Sequence, residues 1–122
     1  MGPLKNSPLR QRFGYAWAGI RAAWRNEHSL RIQAAMAAVV VLVMAWLRPG
    51  LIWWALVGGM ITLILAMELL NTAIEQLADH LHPDEHPRIK LVKDCAAAAV
   101  LLLSLGAVWV GVLMLVAVYI AH

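Results

Sequence analysis

The chain has 122 residues, 62% of them hydrophobic and only 14% charged, with a mean hydropathy of +0.72 and a formal net charge of +3. Soluble domains run near 45–50% apolar and about 25% charged, and a small globule has too much surface for its volume to hide such a surplus. The excess must face lipid, and at roughly 20 residues per crossing the length allows three or at most four helices, which excludes a Rossmann domain, a P-loop ATPase or any other soluble nucleotide fold.

The positive charge points to anionic lipid headgroups and not to nucleic acid. Cys95 is the single cysteine, so no intramolecular disulfide is available. The N-terminal stretch MGPLKNSPLRQRFGYAW lacks the continuous apolar core of a secretory signal, so no cleaved leader is expected.

The first predicted element covers 9–26. Phe13, Trp17, Ile20 and Trp24 fall at i, i+4, i+7 and i+11, on one side of a helix, with Arg10 and Arg21 flanking them. Such a stripe either lies at headgroup depth, as an amphipathic interfacial helix does, or packs on the bundle. A first span follows at 30–47, where the run IQAAMAAVVVLVMAWL is interrupted only by Gln33 and ends at the turn signal Arg48, Pro49 and Gly50. The second covers 51–80. It is apolar through Met67 and then continues with helical spacing but with carboxylates, so it extends past the hydrocarbon. Pro83 and Pro87 bracket a loop containing Asp84 and Glu85, and a third span covers 89–121. The fold class is therefore an all-α, single-domain membrane protein: three transmembrane helices and an N-terminal surface helix.

Lys5, Arg10, Arg12, Arg21, Arg25 and Arg31 precede the apolar run that begins at Ile32, Arg48 stands alone in the first loop, and Arg88, Lys90 and Lys93 follow the second span's apolar run. Short positively charged segments stay in the cytoplasm. This predicts a cytoplasmic N-terminus and a cytoplasmic second loop.

The stretch MELLNTAIEQLADHL carries the chemistry. Glu68, Asn71, Glu75 and Asp79, at i, i+3, i+7 and i+11, make one polar stripe at the cytoplasmic end of the second span. An ionisable group at membrane depth is costly and is by default a functional candidate; the alternative is a polar contact that fixes packing or oligomeric state. Glu68 and Glu75 lie roughly 10 Å apart along the helix axis, so their roles should differ. Glu68, the deeper, suits a general base taking a proton from a hydroxyl. Glu75, nearer water, suits a hard divalent cation. Magnesium takes one or two carboxylates plus substrate phosphates, and Glu27, at the junction of surface helix and first span, is the natural second ligand. Lys93 supplies a cation at the level of Glu75 to neutralise phosphate, and Asp94 is placed to orient Lys93 or to contact a nucleotide. No P-loop motif occurs, so metal and side chains would have to hold the phosphates. His82 and His86, with Pro83 between them and no cysteine nearby, read as a solvated loop and not as a zinc site.

These residues carry a resemblance. YAWAGIRAAWRNE in the surface helix, ELLNTAIE in the second span and DEHPRIKLVKD leading into the third are similar to the small bacterial integral-membrane diacylglycerol kinase family, which includes undecaprenol kinases. The similarity covers about residues 12–118. It implies a homotrimer in the bacterial inner membrane with active sites at subunit interfaces, ATP as cosubstrate, Mg²⁺ as cofactor and a lipid hydroxyl as acceptor. By position, Glu68 matches the family's catalytic base and Asn71 its supporting asparagine. Glu27 and Glu75 match the metal and ATP ligands; Tyr15, Asp84, Glu85, His86, Lys93 and Asp94 match nucleotide contacts; Glu68 and Ala97 match the lipid site. Two departures stand out. A family arginine that contacts ATP falls on Pro8, leaving Arg10 or Arg12 as substitutes. KDCAAAAV also lacks the Gly-Ser pair of diacylglycerol-specific members, while HPRIKLVKD resembles the undecaprenol-kinase branch. Diacylglycerol is the first choice of acceptor and undecaprenol the alternative. From a different class, a small proton-coupled transporter would use Glu68 as its proton site but would not need the Glu, Lys and Asp cluster at the cytoplasmic end.

Overall fold

The computed structural model describes residues 8–121; Lys5 lies outside them. Four helices follow one another: α1 (Leu9–Asn26), α2 (His28–Leu47), α3 (Leu51–Leu81) and α4 (Pro87–Ala121). No strand occurs among the described residues. Helices α2, α3 and α4 are each long and apolar enough to cross a membrane.

The corners explain how the helices are placed. Glu27 alone separates α1 from α2, and its extended backbone (φ −120, ψ 113) breaks the helix there. Arg31, one turn into α2, reaches back so that its guanidinium donates to the carbonyls of Trp24 (2.7 Å) and Arg25 (3.2 Å). Those carbonyls belong to the last turn of α1 and have no partner within the helix; a cation there also meets the negative end of the helix dipole. The corner is thereby held and Glu27 stands at its apex. At the next corner Arg48 takes the left-handed conformation (φ 53, ψ 56) and returns its N–H to the Met44 carbonyl at 2.8 Å, ending α2. Pro87 opens α4 in place of the expected residue 89. Proline is suited to that first position, where an N–H would have no helical acceptor.

Helix α3 has 31 residues, about 46 Å at 1.5 Å per residue, against a hydrocarbon thickness of about 30 Å. It and α4 therefore overhang the bilayer as an antiparallel pair joined at residues 82–86. The apolar core lies at the opposite end, where Met44 (1% exposed), Val57 and Met114 are buried and Trp53, Ile61 and Val110 pack around them. Further along, α3 and α4 approach closely at Gly106, where a Cβ would stand 3.3 Å from Met60 Cε. Met44→Ala should cost about 2 kcal/mol, the low end for a large buried side chain, because side chains released in a bilayer meet lipid and not water. Thermal denaturation in detergent tests this; an unchanged melting temperature would show that this cluster carries no packing energy.

The aromatic stripe of α1 turns away from the protomer. Phe13, Trp17, Ile20 and Trp24 are all exposed, and Ala23 is the buried residue of the helix. The small residues Ala16, Gly19 and Ala23 face α3 instead and line a groove with Thr72 and Ala73. Of the two readings of the stripe, the helix therefore supports the outward, lipid-facing one: small side chains are what let α1 lie close to α3.

Candidate active site

Glu68 is the one polar or charged residue that is buried among the described residues, at 5% exposure. It lies where α3 passes from apolar sequence into its polar overhang. Gln33 of α2 meets it directly, and the charges that act on it are the carboxylates of Glu75, two turns along α3, and Glu27, at the α1–α2 corner. Three carboxylates from two parts of the chain, α3 and the α1–α2 corner, are thus brought into one neighbourhood. Gln33 was visible in the sequence only as the interruption of an apolar run; its side chain is the site residue that spacing alone did not assign.

Asn71 shares the site but turns toward α4. Its Nδ2 donates to Glu75 Oε1 at 3.3 Å, which orients that carboxylate. Its Oδ1 is buried without a hydrogen-bond partner among the described residues. It lines a groove of about 460 Å³ with Leu91, Val92, Cys95 and Ala96. A buried acceptor left unmade is costly, so this atom is primed for a donor from outside the protomer. The single stripe expected from the spacing therefore divides: Glu68 is paired across α2, while Asn71 and Asp79 are turned to α4. Residues at i, i+3, i+7 and i+11 occupy an arc of a helix wide enough to reach into the grooves on both sides.

At the overhang, Lys93 of α4 forms an ion pair with Asp79 of α3. Asp94 pairs with Lys90 at 2.6 Å, one turn back on its own helix. The expectation that Asp94 orients Lys93 is therefore corrected. Adjacent residues of a helix point about 100° apart, and the neighbour that an aspartate meets lies three or four positions away. Asp94 is free of Lys93 and strongly exposed, with 59% of its side chain open.

The loop is organised by its histidines. His82 Nδ1 donates to the Asp84 carbonyl at 2.6 Å, and His86 Nδ1 accepts the N–H of Arg88 at 3.1 Å, capping α4. The two rings lie 5.2 Å apart and tilted by 59°. Asp84, Glu85 and His86 are exposed, as are Tyr15, Arg10 and Arg12 on α1 and Ala97 on α4. Among the described residues no hydrogen bond or ion pair joins Tyr15, Asp84, Glu85, His86 or Asp94 to Glu27, Glu68 or Glu75. One protomer thus assembles Glu27, Gln33, Glu68, Asn71 and Glu75, and holds Tyr15, Asp84, Glu85, His86 and Asp94 at the same end of the helices without a hydrogen bond or ion pair to those carboxylates.

Glu27 and Glu75 fit a hard divalent ion by their chemistry. Both are half-buried carboxylates, and oxygen donors suit Mg²⁺. No three His, Cys, Asp or Glu side chains gather closely enough to hold an ion by themselves among the described residues. That is the donor count of a site completed by phosphates and water. Beside Glu27 runs the open groove between α1 and α3, about 790 Å³, with Asn26, Thr72 and Gln76 among its polar lining.

The model of the prokaryotic diacylglycerol kinase family matches residues 14–115, a stretch containing every residue of this site. The chain belongs to that family. Relatives include the diacylglycerol kinase of Escherichia coli K12, 35% identical over 78% of each chain. That of Synechocystis is 37% identical over 81% of this chain and 57% of its own. The undecaprenol kinase of Bacillus subtilis is 33% identical over 83% of this chain and 82% of its own. As a member of the prokaryotic diacylglycerol kinase family, the chain is a lipid kinase and a bacterial integral membrane protein, and the transporter reading falls away. Arg10 and Arg12 lie just outside the matched stretch.

Proposed function

We propose that this kinase transfers the γ-phosphate of ATP to the hydroxyl of diacylglycerol, giving phosphatidic acid, with Glu68 as the general base. The observation that carries this reading is Glu68 itself: a carboxylate buried to 5% exposure at the edge of the hydrocarbon, where the hydroxyl of a membrane lipid resides. The Glu68 carboxylate takes the hydroxyl proton as the lipid oxygen attacks the γ-phosphorus, and the bond to the β-phosphate oxygen breaks to release ADP. Gln33 holds that carboxylate in place from α2. Glu27 and Glu75 would hold Mg²⁺, which when bound supplies neutralising charge to the phosphates. Asn71 keeps Glu75 turned to its task through the 3.3 Å hydrogen bond, and Lys93 offsets charge on the transferring group. Positioning and electrostatics carry most of the acceleration in such transfers.

In this reading Tyr15, Asp84, Glu85, His86 and Asp94, with Arg10 or Arg12, contact the nucleotide from the cytoplasmic side of the inner membrane, and Ala97 lies against the lipid. Since Tyr15, Asp84, Glu85, His86 and Asp94 make no hydrogen bond or ion pair to Glu68 among the described residues, a homotrimer with sites between subunits would complete the constellation. Only 11% of each span's most apolar window is buried within the protomer, leaving ample surface for neighbouring subunits and lipid.

Undecaprenol is the second acceptor reading, favoured by KDCAAAAV and HPRIKLVKD and by likeness to the Bacillus subtilis enzyme. Radiolabelled ATP incubated with the purified chain and either lipid in parallel decides between them. Preferential labelling of diacylglycerol is expected; label on undecaprenol alone would replace the acceptor, and label on neither would overturn the reading.

A further inference from the structure

Asp79 is the member of the polar stripe without a part in the reaction described above. It lies on α3 one turn beyond Glu75, and it holds Lys93 across the mouth of the α3–α4 hairpin. This ion pair joins two helices, whereas Lys90 and Asp94 pair within α4. The two pairs also differ in setting: the Lys93 side chain is 36% exposed, that of Lys90 66%. A lysine stem of four methylenes samples many rotamers when free, and restraining it before a ligand arrives lowers the cost of binding. An ammonium has three N–H donors. One engaged by Asp79 leaves two for phosphate oxygens.

We propose that Asp79 is a positioning residue for nucleotide binding, acting through Lys93: it presets the ammonium at the level of Glu75 so that the phosphates of ATP meet a cation already in place. The proposal rests on the reading that Lys93 meets those phosphates. An isolated negative charge near the phosphates would weaken binding, so the sign of the effect separates positioning from simple repulsion.

The test is a double-mutant cycle on the full chain in lipid–detergent micelles, with ATP as the varied substrate and Asp79→Asn, Lys93→Met and the double variant compared. Asp79→Asn should raise KM for ATP about two- to fivefold, the scale of an exposed ion pair, with kcat changed by less than about twofold. Lys93→Met should raise it further, and the double variant should equal Lys93→Met or lie somewhat below it, because without the lysine Asp79 has nothing to position and is left as an isolated charge near the phosphates. A KM that falls or does not move in Asp79→Asn, while Lys93→Met raises it, overturns the role of Asp79 and leaves Lys93 as a phosphate contact. A lowered melting temperature without a KM shift does the same and makes the pair a structural clasp. Effects that multiply in the double variant show Asp79 acting independently of Lys93 and also overturn it. An unchanged KM in Lys93→Met removes the underlying contact, and the proposal with it.

Discussion

Glu68→Gln is expected to lower kcat by about 10²–10⁴-fold, the range contributed by a positioned general base, with the KM for ATP little changed. The substitution keeps the size and most of the hydrogen-bonding capacity of the side chain. Gln33 can still bond to an amide, and relief of the repulsion from Glu27 and Glu75 should if anything steady the fold. What is lost is a group that can accept the proton of the lipid hydroxyl. Steady-state turnover with ATP and lipid, alongside a thermal melt in detergent, separates chemistry from folding. A folded Glu68→Gln protein with normal turnover would remove Glu68 as the base.

The second large effect is expected in the metal requirement. Glu27→Gln and Glu75→Gln should each raise the half-saturating Mg²⁺ concentration by about tenfold or more, since one charged oxygen donor of at most two is lost from a site that depends on few protein ligands. Glu75→Gln retains an oxygen for Asn71 Nδ2, so its defect should be recovered in part by high Mg²⁺. Asn71→Ala leaves the carboxylate present but unoriented, and should lower turnover more than it alters the metal requirement. Activity titrated against free Mg²⁺ at fixed ATP reads both. Titration curves that superpose on that of the unsubstituted protein would show that these carboxylates hold no ion.

The helices were legible because lipid imposes a simple rule on composition. Runs such as 51–67 and 95–121, the latter broken only by Ser104, are too long and too apolar to be anything but spans, and Arg48-Pro49-Gly50 can only end one of them. Glu68 was equally legible, since a carboxylate that follows such a run stands out against its neighbours. Gln33 was much less so: one polar residue in an apolar span signals an interhelical contact, but nothing in its spacing says that the contact is with Glu68. That Asp79 pairs with Lys93 was not legible, because the sequence offers Asp94 beside Lys93 whereas neighbours in sequence diverge on a helix and the partner lies on α3.

By itself the sequence determined the membrane class, the three spans, the surface helix and the carboxylates that make a site, because hydropathy and helical period are properties of single segments. Only the tertiary structure decided partnership: that α1 lies on α3 through Ala16, Gly19 and Ala23 and turns its aromatics outward, that Asn71 faces α4, and that Asp79 and not Asp94 holds Lys93. The reason is geometric. Period assigns a residue to a face, whereas its partner depends on how neighbouring helices are rotated, which is a property of the packed bundle and not of any one segment.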